Sequence, residues 1–219
     1  MVNVNTFKLF VEFVSNKVQS GNAVSPSQFN EVANRAQMQL FERDFQTFLA
    51  TKQISEYLKT FLKNKVYSVT STGLISYPSD FQHLSSLRRY YVSASGGKEI
   101  PIEEVRNESW GDIQISALYE PTLRFPKFSE FSDNIRILPK NVGIVMMDYF
   151  KTPTAPVWGY VTTNNRPVYN AATSTNFEWD EFSVNNVAAI YLSLIGVNLK
   201  DGELAQFSEL YKQQTNSTY

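Results

Sequence analysis

The sequence predicts an α+β protein, with amphipathic helices at the N- and C-terminal ends forming a helical bundle and a central antiparallel β-rich extension between them. Three observations lead there. Apolar residues recur at three- and four-residue steps through the first third of the chain. From Val66 the period shortens towards two, in stretches rich in β-branched and aromatic residues. Helical spacing returns from Val184 onwards. Helices, then strands, then helices is the order of an α+β chain, because alternating βαβ units would interleave the two periods. The expected divisions are residues 1–65 for the N-terminal helical part, 66–176 for the β-rich extension, and 177–219 for the helices that complete the bundle.

In the first helix Phe7, Phe10, Val11, Val14 and Val18 make one apolar stripe, and Gly21-Asn22 ends it. The second start is better marked. Ser25 is placed as an N-cap, Pro26 as the first helical residue, and Gln28 completes the spacing of a capping box. Phe29, Val32, Ala33, Ala36, Leu40, Phe41, Phe45 and Phe48 then form its buried stripe, and Ile54, Tyr57, Leu58, Phe61 and Leu62 repeat the pattern as a third helix.

Strands are expected over 66–70, 74–77 and 87–92, with a turn at Ser95-Gly96-Gly97-Lys98. Between Glu103 and Ser116 the spacing of Val105, Trp110 and Ile113 favours a short helix, which Gly111 weakens. Further strands are expected at 122–125, 135–138 and 143–150, the last two joined by a turn at Pro139-Lys140-Asn141. Pro153, Pro156, Trp158 and Gly159 break the next segment into a surface loop with a short return strand. Val184, Val187, Ala188, Tyr191, Leu192 and Ile195 then line one helical face, and residues 199–211 read as a last helix before a polar tail.

The composition narrows the chemistry. At 219 residues and 42% hydrophobic the chain can bury a core, and a formal net charge of -1 gives no general attraction to a polyanion. There is no cysteine, so thiolate metal sites and thiol nucleophiles are excluded. No signal peptide is expected at Met1–Lys8, and no apolar run reaches the length of a membrane span. The one histidine, His83, cannot by itself build a zinc site or a triad. Glu103 and Glu104 are adjacent, and so do not face one another on a helix. Glu178, Asp180 and Glu181 stand just before a predicted helix, where acids favour the positive end of its dipole. Gly96-Gly97-Lys98 lacks the frame of a phosphate loop. No catalytic residue, metal ligand or cofactor site is therefore assigned. Arg88-Arg89 beside Tyr90-Tyr91 is a candidate contact for nucleic acid, set against the simpler reading of an edge strand.

The ordered signatures are Phe29-Asn30 through Gln37, Leu40 and Phe41; Tyr77-Pro78-Ser79-Asp80-Phe81; Ile137-Leu138-Pro139; Asp148 through Trp158; and Phe177-Glu178-Trp179 leading into the helix to Asn198. Spanning nearly the whole chain, they resemble the head-to-tail connector proteins of short-tailed bacteriophages, above all the ring proteins stacked below the portal in crAss-like phages. The resemblance implies a helical bundle with a β-rich extension and a closed homo-oligomeric ring, commonly twelve-fold. It implies the portal protein and neighbouring connector or tail proteins as partners, and DNA passing transiently and non-specifically through the lumen. It places the chain in the virion, after synthesis in the bacterial host's cytoplasm, with no cofactor and no membrane. A near-neutral subunit suits a channel through which a polyanion must slide. Ring closure needs heterologous contacts, expected at the helices through Phe29, Phe41 and Phe45, with Pro156 and Trp158 touching the stacked neighbour. The alternatives are another tail component, such as a tube, baseplate or fibre-adaptor subunit, or a carbohydrate hydrolase using Asp180 and Glu181 with exposed tryptophans as a sugar platform.

Overall fold

The computed structural model describes residues 2–15, 24–69, 71–93 and 96–198. Among them lie five α-helices and three sheets, so the chain is mixed α+β. It divides into a helical unit, Met1–Thr60 with Pro153–Tyr219, and a β unit, Phe61–Thr152. The boundaries differ from the sequence expectation. Strand pairing begins soon after Phe61, and residues 153–176, expected in the β extension, belong with the helices.

In the helical unit, α1 (Val4–Ser15) buries Val4, Phe7 and Val11. Helix α2 (Pro26–Thr51) starts as its sequence specifies: the Gln28 N–H donates to Ser25 Oγ at 3.3 Å, and the Ser25 N–H donates to Gln28 Oε1 at 3.1 Å. It ends at Lys52 in the left-handed region, whose N–H reaches the Phe48 carbonyl at 2.7 Å. The third helix shrinks to one turn, α3 (Glu56–Lys59), because the apolar residues after it enter a strand. Among the described residues of this unit, a further helix, α5 (Glu181–Asn198), departs most from expectation. Ala189 and Ile190 are buried together with Val184, Val187, Ala188, Tyr191, Leu192 and Ile195, so it is enclosed on nearly all sides and not along one face. Both α1 and α2 pack on it. Phe7, Phe29, Phe177 and Tyr191 meet there with ring centroids 4.7–6.1 Å apart. The helix expected at 199–211 lies outside the described residues.

The β unit holds two four-stranded sheets. One has the order β1 (Leu62–Ser68), β8 (Ile144–Lys151), β3 (Phe81–Ser93), β4 (Gly96–Pro101), antiparallel throughout. The other has the order β2 (Leu74–Ser76), β7 (Asn134–Leu138), β6 (Lys127–Glu130), β5 (Glu103–Glu104). Its β5–β6 pair is parallel, which the antiparallel expectation did not include. Alternating residues of both sheets, including Leu87, Val145, Met147 and Tyr149 from the first and Ile75, Phe128, Ile135 and Ile137 from the second, share one core. The chain crosses between sheets at Ile102, whose N–H donates to the Leu87 carbonyl at 2.9 Å. Gly73 turns at φ +71°, and a Cβ there would stand 2.6 Å from the Ile137 carbonyl, so no other residue fits. No strand forms at 122–125; it lies instead at 127–130, beyond Pro126. The 103–116 segment splits into β5, a 3₁₀ turn at Asn107–Ser109 and the single turn α4 (Asp112–Ile115).

Residues 153–159 are not a surface loop. Pro153, Pro156, Trp158 and Gly159 are all buried within the helical unit. The hairpin β9 (Tyr160–Thr163) and β10 (Arg166–Tyr169) follows, turning on Asn164 and Asn165, both at positive φ as a two-residue hairpin turn requires. No helix among the described residues is long and apolar enough to cross a membrane.

Candidate functional site

The residues expected at subunit interfaces lie inside the helical unit. Phe29, Phe41 and Phe45 form the buried stripe of α2, and Pro156 is buried as well. Trp158 is 5% exposed. Its ring lies under Lys8 Nζ at 4.6 Å, its Nε1–H donates to Asn5 Oδ1 at 2.9 Å, and its backbone N–H donates to Asn30 Oδ1 at 2.7 Å. Burial decides against docking by these five side chains: each is already consumed by intramolecular packing, and a surface that is inside the fold cannot meet a partner. Of the tryptophans expected as an exposed platform, Trp158 and Trp179 are buried and Trp110 is half-buried. Asp180 caps α5, its Oδ1 accepting the Ser183 N–H at 2.6 Å, while Glu178 Oε2 accepts the Thr154 N–H at 2.9 Å.

Arg88 and Arg89 point to opposite faces of β3, as neighbours on a strand must. Arg88 forms ion pairs with Glu99 and Asp148, and Asp148 also accepts hydrogen bonds from Asn64 and from Ser86. Arg89 is occupied differently: its Nε donates to the Val142 carbonyl and an Nη to the Leu123 carbonyl, both at 2.8 Å. Acidic neighbours neutralise the first and backbone carbonyls hold the second, so the pair does not form the phosphate-binding patch that the sequence offered. Glu103 makes an ion pair with Lys127, Gly96-Gly97-Lys98 opens β4, and His83 stands on β3 opposite Phe150.

A small acidic cluster lies at one end of the second sheet. Burial pushes the Glu130 carboxyl above the usual glutamate range, and the charge of Glu104 adds to it. Burial, then the Glu130 charge, pushes the Tyr77 phenol up to about 12. In both groups burial penalises the charged form.

What the surface does present is a loop, residues 105–126, between β5 and β6. Polar bonds anchor it at both ends. The Val105 N–H donates to the Phe128 carbonyl at 2.8 Å, Ser129 Oγ donates to the Val105 carbonyl at 2.8 Å, and Asn107 Nδ2 donates to the Glu130 carbonyl at 3.0 Å. Thr122 and Phe125 exchange backbone bonds at 3.1 and 3.3 Å, and Arg89 holds Leu123. Between those anchors the large apolar side chains face water: Ile115 is 86% exposed, Leu118 81%, Tyr119 67% and Phe125 64%. A single exposed leucine is ordinary, but four such side chains within eleven residues of a shaped loop make it the candidate interaction surface. In the helical unit, α1 turns Leu9, Phe10 and Phe13 outwards in the same way. Sequence reasoning missed both. The loop has no apolar period to flag it, and Phe10 falls within the apolar stripe read for the first helix; the available signal is apolar density without periodicity between Gly111 and Pro126.

No known family matches the chain, and a search of curated proteins finds none similar to it.

Proposed function

We propose that the chain is a non-enzymatic structural protein of a virion: a ring-forming subunit of a phage head-to-tail connector, stacked below the portal and surrounding the channel through which DNA is ejected. In this reading α1, α2 and α5 are the bundle of terminal helices that packs around a twelve-fold ring. The β unit is the extension that reaches neighbouring connector or tail proteins. The observation that carries the reading is the pair of outward-facing apolar surfaces, 115–125 in the β unit and Leu9, Phe10 and Phe13 on α1. An isolated subunit gains nothing from holding such side chains in water, whereas association removes them from it at about 25 cal/mol per Å². The near-neutral charge and the pairing of Arg88 with two acids fit a wall along which DNA slides without being held.

The test is the mass of the purified protein, alone and mixed with a portal ring, by native mass spectrometry. A closed ring in either condition supports the proposal. A monomer that ignores the portal overturns it and leaves another tail component as the reading to pursue.

A further inference from the structure

We infer that the 107–123 loop of one subunit docks on the β1 rim of a second copy of this chain, forming the head-to-tail contact of the ring; this rests on the ring reading above. Two observations about the β unit place the surfaces correctly. The first sheet runs β1-β8-β3-β4 and the second β2-β7-β6-β5, and Ile102 alone links β4 to β5, so β5 lies beside the β4 edge of the first sheet and β1 is at that sheet's other edge. The loop leaves from β5, on the side opposite β1. A surface and its complement on opposite sides of one unit generate a heterologous contact, the kind that closes into a ring when the rotation permits.

The charges are complementary. The middle of the 105–126 loop carries Glu108, Asp112 and Glu120, all exposed, while its two arginines, Arg106 and Arg124, stand near its ends. Strand β1 carries exposed Lys63 and Lys65 on one face and no acid, with Val66 on the other face. In the β1–β8 register Lys63 lies opposite Tyr149 and Lys65 opposite Met147, which sets both ammonium groups on the core-facing side, at the open rim between the sheets. Lysines in that position guard an edge strand against unspecific strand pairing. Docking by the side chains of an irregular, acidic and apolar loop is the mode that such a rim still admits. Apolar contact from Leu118 and Tyr119 would supply affinity, and the acids facing the lysines would set register and exclude other partners.

The absence of cysteine makes the test direct. Full-length Tyr119→Cys and Lys63→Cys proteins are prepared separately, then mixed with a portal ring under mild oxidation. Cross-linked dimers in the mixture and in neither protein alone support the contact. Cross-linking of Tyr119→Cys by itself means that two loops meet, and overturns it. Rings by native mass without any cross-link overturn this contact and leave the connector reading standing; monomers in every condition sink both. Charge exchange gives a second measure. Lys63→Glu with Lys65→Glu weakens assembly about ten-fold or more, and adding Asp112→Lys and Glu120→Lys restores most of it. Failure of that restoration counts against the contact as firmly as a missing cross-link.

Discussion

Truncating Trp158 to alanine removes the largest side chain of the 153–159 segment from a place where it is 5% exposed. Truncation of a buried tryptophan costs about 3–5 kcal/mol through lost burial and the cavity left behind. Two specific contacts go with it. The Nε1–H bond to Asn5 Oδ1 and the Lys8 ammonium over the ring together contribute about 1–2 kcal/mol. Asn5 and Lys8 are only half-buried and recover some of this from water, so the net loss is about 4–5 kcal/mol. That is much of a typical domain's stability, so the helical unit should unfold at far lower urea, or fail to fold. Trp158→Phe keeps most of the packing and loses the donor; its cost should be about 1–2 kcal/mol. Asn5→Ala should cost less in the Trp158→Phe background than in the native chain, because both substitutions remove one bond. The assay is urea unfolding followed by far-ultraviolet circular dichroism. A loss below about 1 kcal/mol for Trp158→Ala would refute the buried placement and return the indole to the surface as a docking residue.

Three other outcomes are expected. Ser25→Ala removes one half of the capping box on α2 and should lower stability by about 1 kcal/mol in thermal unfolding. Glu130→Gln should stabilise the protein at neutral pH: its folded pKa is raised, so the carboxylate's penalty is absent below the ordinary glutamate range and complete above the folded pKa. Melting temperatures at pH 3 and pH 7 check this, an equal change at both being the contrary result. Tyr149, pushed up to about 12 by burial and by its hydrogen bond and charge interaction with Asp80, and Tyr77, also at about 12, stay protonated where free tyrosine ionises. Their folded pKa values lie above the unfolded value, so their contribution is complete below about pH 10 and lost as the pH rises towards about 12. Ultraviolet titration should find these phenolates forming together with alkaline unfolding, and a normal titration of all twelve tyrosines in the folded protein would contradict the burial.

Local chemistry wrote several elements into the sequence. The start of α2 needs only Ser25, Pro26 and Gln28, because a cap satisfies amide groups within one turn of itself. Strands β7 and β8 announce themselves by alternation, since Ile135, Ile137, Val145, Met147 and Tyr149 all have to face one side. The reading of helices, then strands, then helices follows from such periods alone.

What the sequence could not determine is which surfaces the fold consumes. Gln37 donates to the Thr154 carbonyl at 3.0 Å, and Trp158 to Asn5, across 117 and 153 residues of chain. Those contacts turn a proline-broken segment that reads as a surface loop into core. The same kind of distant packing encloses α5 on sides that its spacing left open, and brings Asp148 to Arg88. A period tells which residues share a face, and a cap tells where a helix begins. Only the tertiary structure decides whether a face meets protein or water, because that depends on partners far along the chain. By that measure the sequence determined the kinds of element and most of their order, and the tertiary structure moved the candidate interface from Trp158 and the α2 phenylalanines to the 105–126 loop and α1.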